Sequence, residues 1–270
     1  ADIGRQTHRE LAQHLVAAKR YVEAIPPMFL AVEHRTHTQG HLAALHLLDD
    51  VKATLVLTEL PDTDRWWAEL AARKAVGLEA IDKHGDAWRI ARHAGELADA
   101  GGWRDLKALA ALVQGAVSLT AGRTKEAEQF YTKVTMLTGT DGDPLVALQA
   151  WHQLRQLAHR RNDPQAALAR SAKLRDAASR ATAGPTGAFG HAAIAGDALA
   201  RGDHDDARRW ATSSLAIAEA AKDILGQARA HSLLADIAVH AEDAETARSH
   251  FALGIDRYEA IGDSGSLSMR

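Results

Sequence analysis

The segment Gly202-Asp203-His204-Asp205-Asp206-Ala207 has three counterparts at a fixed distance: Gly122-Arg123-Thr124-Lys125-Glu126-Ala127, Asn162-Asp163-Pro164-Gln165-Ala166-Ala167 and Glu242-Asp243-Ala244-Glu245-Thr246-Ala247. With Ala87 they place an alanine every 40 residues through the last two-thirds of the chain. Gly202 and Asn162 tolerate the left-handed conformation that ends a helix. Asp or Thr can cap the next helix, and acidic residues in its first turn complement the helix dipole. Each segment therefore reads as the turn of a helical hairpin, and the constant period reads as an array of such hairpins.

Twelve residues before each marker alanine stand Ala75, Gly115, Arg155, Ala195 and Ala235, four of them small. Small residues at fixed offsets on neighbouring helices let the backbones approach to roughly 8–10 Å between axes. This pair of small positions, with the turn between them, resembles the tetratricopeptide (TPR) repeat over at least residues 64–261, with a 40-residue period in place of the usual 34. HEAT or armadillo arrays, with periods of about 40–47, are the alternative at the level of fold. Arg155 breaks the small-residue rule, so it either distorts its hairpin or projects towards a functional surface.

The resemblance implies an all-α, TPR-like right-handed solenoid. Helical periodicity and turn signals divide it into about 13 antiparallel helices, near 5–18, 21–38, 41–58, 64–82, 85–100, 103–121, 124–138, 144–160, 164–182, 187–201, 204–221, 224–240 and 244–261. Residues 1–62 keep hairpin character without the register, 63–261 carry the regular repeats, and 262–270 read as a flexible tail, all within one domain spanning 1–270. Pro26-Pro27 should delay or kink the second helix, because neither residue donates a backbone hydrogen bond. Loops are expected at 60–63, 138–144 and 183–187.

Composition fits closely packed helices. Hydrophobic residues make up 46% and aromatics only 5%, so alanine and leucine supply most of the apolar surface. A net charge of −3 from 32 basic and 35 acidic residues gives no electrostatic footprint for nucleic acid or for a membrane surface. The absence of cysteine excludes disulfides and thiolate chemistry and suits a reducing compartment. With no signal sequence and no long apolar run, a cytoplasmic location is expected.

Catalytic signatures are missing: no Walker A sequence, no ordered Gly-x-Gly-x-x-Gly, no nucleophile elbow. The expectation is that these residues are not an enzyme and hold neither cofactor nor metal. Among 15 histidines, His34, His37, His41 and His46 lie close in sequence, but Gln39-Gly40 breaks the helix before His41 and no acidic ligand completes a set. Asp141-Gly142-Asp143-Pro144 reads as a turn, since no EF-hand pattern follows.

In a TPR register the groove-facing positions fall 18, 15, 11 and 8 residues before each marker. The third interval supplies a polar row, Gln149, His152, Gln156 and His159. Leu109, Leu112, Ala116 and Leu119 form an apolar row before it, and Phe189, Ala192, Gly196 and Leu199 one after it. Amides satisfy a ligand's backbone while apolar strips contribute burial. Gln149, His152, Gln156 and His159, flanked by Leu109, Leu112 and Phe189, are therefore the candidate ligand-binding residues, with Arg229 and Asp236 for charged groups. A solvated helix face carrying the same residues is the competing reading.

Trp151 is expected to pack within its hairpin. Adjacent Trp66 and Trp67 cannot face one side of a helix, so one of them is expected at an end or interface, offering self-association through the N-terminal edge. The stretches His8-Arg9-Glu10-Leu11-Ala12-Gln13-His14-Leu15 and Tyr21-Val22-Glu23-Ala24-Ile25-Pro26-Pro27 are similar to the start of the repeat region that follows the ATPase module in bacterial ATPase/kinase fusions and MalT-like regulators. That resemblance implies a protein- or peptide-binding scaffold or regulatory region of a bacterial signalling protein. The alternative is a small-molecule-sensing segment of a transcription regulator.

Overall fold

In a computed structural model describing residues 3–262, with side-chain environments from residue 8 onward, the chain forms twelve helices and no strand among the described residues. They are α1 (Ile3–Ala17), α2 (Tyr21–Leu57), α3 (Arg65–Ala80), α4 (His84–Gly101), α5 (Arg104–Thr120), α6 (Thr124–Thr138), α7 (Pro144–Arg160), α8 (Pro164–Ser179), α9 (Gly184–Ala200), α10 (His204–Ala221), α11 (Ile224–His240) and α12 (Ala244–Ala260). From α3 onward they pack as successive hairpins, α3/α4 to α11/α12, stacked into a solenoid. Beyond Gly262, the tail expected at 262–270 lies outside the described residues.

One turn geometry recurs in all five hairpins. The residue five before each marker alanine, namely Asp82, Gly122, Asn162, Gly202 or Glu242, has φ between 55° and 77°. Around it the chain closes the first helix with the same pair of bonds, as in Gly202 N–H to Leu199 C=O at 2.9 Å and Asp203 N–H to Ala198 C=O at 3.0 Å. The next residue then caps the second helix: Asp163, Asp203 and Asp243 accept from Ala166, Asp206 and Thr246 N–H. The equivalent Lys83 and Arg123 make no side-chain cap. The marker alanines are at most 4% exposed because each faces its hairpin partner. At the opposing position, Gly115 lets the Tyr131 ring cross: a methyl group there would lie 2.7 Å from Tyr131 Cε1.

Burial is distributed along the array in successive clusters rather than in one central core. Trp151 packs against two of them: one holds α7 and α8 residues of its own hairpin together with α9, as expected, and the other reaches back to α5 and α6, so it also staples neighbouring hairpins. Trp66 and Trp67 are both half-buried against the first cluster, with Trp66 stacked on Phe29 at 5.9 Å. The exposed tryptophan expected at the N-terminal edge is therefore absent from this pair.

Two helix boundaries differ from the sequence expectation. Pro26 and Pro27 sit inside α2 without delaying or kinking it. The carbonyls they leave unbonded belong to Val22 and Glu23 in the first turn, both exposed residues, where solvent can reach them. The bend comes instead at Gly40, with φ 83° and ψ 174°, where two helical segments of α2 meet. These segments correspond to the expected helices 21–38 and 41–58. At the other site, Gly184-Pro185 opens α9 rather than prolonging the loop, since proline is pre-set for a first helical turn.

Candidate functional site

The bend in α2 brings the start of the array back onto its end. His37 Nδ1 lies 3.2 Å from Asp223 Oδ1, and Asp223 caps α11 by accepting from Gly226 N–H at 2.9 Å. Gly40 sits against the backbone carbonyl of Ile261, just past α12, with no room for a side chain. The curve of hairpins thus surrounds a partly enclosed cavity of about 690 Å³. Its wall is built chiefly by α2 and the first helix of every following hairpin, α3, α5, α7, α9 and α11.

Gln149, His152 and Gln156 line this cavity, as do Leu109, Leu112, Phe189, Arg229 and Asp236. His159 is not on the wall: it is exposed at the end of α7, where the chain turns into α8. Leu119 and Leu199 share that offset and pack against neighbouring clusters instead. At these three positions the residue lies beyond the wall. Glu79, at the equivalent place on α3, does reach the cavity.

Sequence spacing missed the contribution of α2, because residues 1–62 lie outside the register. Glu33, Thr36, His37 and His41 line the cavity from that helix. The break at Gly40 separates His37 from His41, so no helical spacing in the sequence marked them as neighbours on one wall. Tyr131 reaches the wall from α6 through the gap left at Gly115. Among the described residues no group of three potential metal ligands comes together.

Arg155 takes the second of its two expected courses, facing the cavity from α7. It is buried, and its guanidinium lies 3.5 Å from Asp197 on α9, itself only 1% exposed. Asp197 also accepts from Ser171 Oγ at 2.5 Å and pairs with Arg175 and Arg201. This network ties α7, α8 and α9 together behind the polar row. Burial, then the neighbouring Arg201, pulls the Arg155 guanidinium down to about 10.

Electrostatics in the cavity favour neutral imidazoles. Burial, reinforced by Arg155 and Arg229, pushes His152 down to about 4. Burial, with Arg229 and His37, does the same to His41, also to about 4. His152 Nε2 lies 2.7 Å from the Gln156 amide nitrogen; accepting there leaves the ring proton on Nδ1, which is buried without a partner. The ring stands edge-on to Phe189, with centroids 6.0 Å apart. Burial raises the Glu79 carboxyl above its ordinary value. The cavity thus offers amides, neutral rings and apolar walls, suited to holding a small ligand by hydrogen bonds and burial.

No described helix is long and apolar enough to cross a membrane. No family model and no curated protein sequence matches the chain. Among solved structures, the Rap conjugation gene regulator of the plasmid pLS20, in complex with the Phr* peptide, is similar, with a TM-score of 0.63 and 14% identity over 90% of this chain and 76% of that one. At this identity the likeness concerns the fold alone: the chain is an all-α, TPR-like solenoid.

Proposed function

We propose that this chain is a peptide-binding regulatory scaffold of the TPR type from a bacterial signalling protein, and that it takes a short peptide into its interior cavity without chemistry of its own. The observation that carries the reading is the convergence of Gln149, His152 and Gln156 with apolar walls from α5 and α9 around one partly enclosed cavity. Peptide amides need paired donors and acceptors when buried, and glutamine and neutral histidine offer both. The similar Rap regulator was solved with a peptide bound, which supports the same use of the fold here. A volume of about 690 Å³ fits compact ligands, for which sites of roughly 300–1,000 Å³ are usual, better than a partner's helix laid in an open groove. The same enclosure favours, as a second reading, a small-molecule sensor.

Gly196 supplies the test. It lines the cavity from α9, and a Cβ built on it meets nothing within 4 Å. Gly196→Ala should leave the fold intact, adding up to about 1 kcal/mol of helix stability. Gly196→Trp should place a bulky ring in the cavity beside Phe189 and obstruct it while the chain still folds. Short peptides retained by the wild type and by Gly196→Ala, but not by Gly196→Trp, are the expected result in an affinity selection read by mass spectrometry. Retention unaffected by the tryptophan would place binding elsewhere.

A further inference from the structure

The charges in the cavity wall are mostly matched within the protein. Arg73 pairs with Glu69 at 3.0 Å and reaches Glu33 at 4.0 Å. Arg155 is matched by Asp197. Asp143 is committed to capping α7, accepting from Leu145 N–H at 2.8 Å. Asp236 has a partner of its own.

Arg229 differs. It is half-buried, with its guanidinium over the face of Phe189, 5.9 Å from the ring centroid; Glu79 across the cavity attracts it electrostatically, but the guanidinium forms no ion pair among the described residues. The wall around it comes from several parts of the array: His41 on α2, Glu79 on α3, His152 on α7 and Phe189 on α9. A guanidinium withdrawn from water gains most from a carboxylate, which it binds through two parallel N–H···O bonds. The aromatic face fixes the plane of that fork. The amides of Gln149 and Gln156 stand on α7, beside the same Phe189 wall.

Building on the peptide reading above, we propose that Arg229, held on Phe189, is an anchor for a carboxylate of the bound peptide, with the amides of α7 taking the adjoining peptide backbone. The carboxylate comes either from the peptide's C-terminus or from an Asp or Glu side chain. Both sources present the same oxygen pair to the same fork.

The probe is a synthetic library of random peptides of about five residues, a size suited to a compact site, made with free and with amidated C-termini. Each form is offered to the wild-type chain, to Arg229→Gln and to Arg229→Lys, and retained peptides are identified and their affinities measured. The expected loss in Arg229→Gln is about 10- to 100-fold, with a smaller loss in Arg229→Lys. Retention abolished by amidation assigns the carboxylate to the C-terminus. Retention that survives amidation, with Asp or Glu enriched at one peptide position, assigns it to a side chain.

Equal affinity for wild type and folded Arg229→Gln overturns the anchor while leaving the peptide reading intact. Retained peptides that are indifferent to amidation and lack acidic residues do the same. If the wild type retains no peptide, the peptide reading fails. The anchor then stands only if succinate, and not succinamide, raises the melting temperature of the wild type and not of Arg229→Gln; otherwise it falls too. Should Arg229→Gln fail to fold, Phe189→Leu keeps the charge and removes its platform. A severalfold loss is expected there, and unchanged affinity overturns the proposal.

Discussion

Asp197 is the residue on which the middle of the array depends most. Its carboxylate compensates the buried Arg155 and also draws in Arg175 and Arg201, so Asp197→Ala leaves three guanidinium groups facing one another. Removing one partner of a buried pair costs about 3–5 kcal/mol, and urea unfolding of Asp197→Ala should show a loss of that size. The imidazoles of His41 and His152 make a second, pH-dependent statement. Both have folded values near 4, below the ordinary 6.5, so between these limits the unfolded chain binds protons that the folded chain does not. Stability therefore rises with pH through that window and is lost as pH falls through it, by up to about 3 kcal/mol for each ring, with no further loss from these groups below it. His152→Gln should give a shallower fall between about pH 6.5 and pH 4 in denaturant titrations, since one of the two rings no longer titrates. Sequence alone marked His152 as a candidate and Arg155 as an anomaly, but it could not show that Asp197 answers Arg155. The two lie 42 positions apart, and nothing in their spacing distinguishes an inward aspartate from a solvated one.

At the scale of single elements, the most consequential feature is the bend in α2. Gly40 combines a left-handed φ of 83° with close approach to the Ile261 carbonyl, two conditions that a Cβ violates together. Gly40→Ala should strain the bend by about 1–3 kcal/mol and push α2 away from the end of α12. Small-angle scattering should report a larger radius of gyration, with helicity retained. An unchanged radius would mean that the seam does not depend on this contact. The hairpins themselves were legible from the chain because one six-residue segment both closes a helix and caps the next, and that chemistry repeats with the period. The bend was only half legible. Gln39-Gly40 signalled a break, whereas Pro26-Pro27, expected to delay or kink the helix, falls in its first turns beside the exposed residues Val22 and Glu23. The start of α9 was misread for a related reason: Gly184-Pro185 is turn chemistry in isolation and first-turn chemistry when a helix follows.

Over the whole molecule, the period gives the curvature and the curvature gives the cavity, but closure depends on long-range contacts that no period encodes. The His37–Asp223 pair and the Gly40–Ile261 contact join the middle of α2 to the last hairpin. They turn an open concave face into a cavity walled by α2 and by α3, α5, α7, α9 and α11. The register located much of this wall from sequence and failed at His159, which is exposed at the end of α7. It was silent on α2, which lies outside the repeat. The account stands on that inner wall being where a ligand sits. The most direct measurement is hydrogen–deuterium exchange of the full chain with and without a peptide selected by it. The account predicts added protection on α2, α3, α5, α7, α9 and α11, centred on Gln149–Gln156 and Arg229, with the outer helices α4, α8 and α10 unchanged. Protection confined to those outer helices, or to α1 at the N-terminal edge, would contradict it.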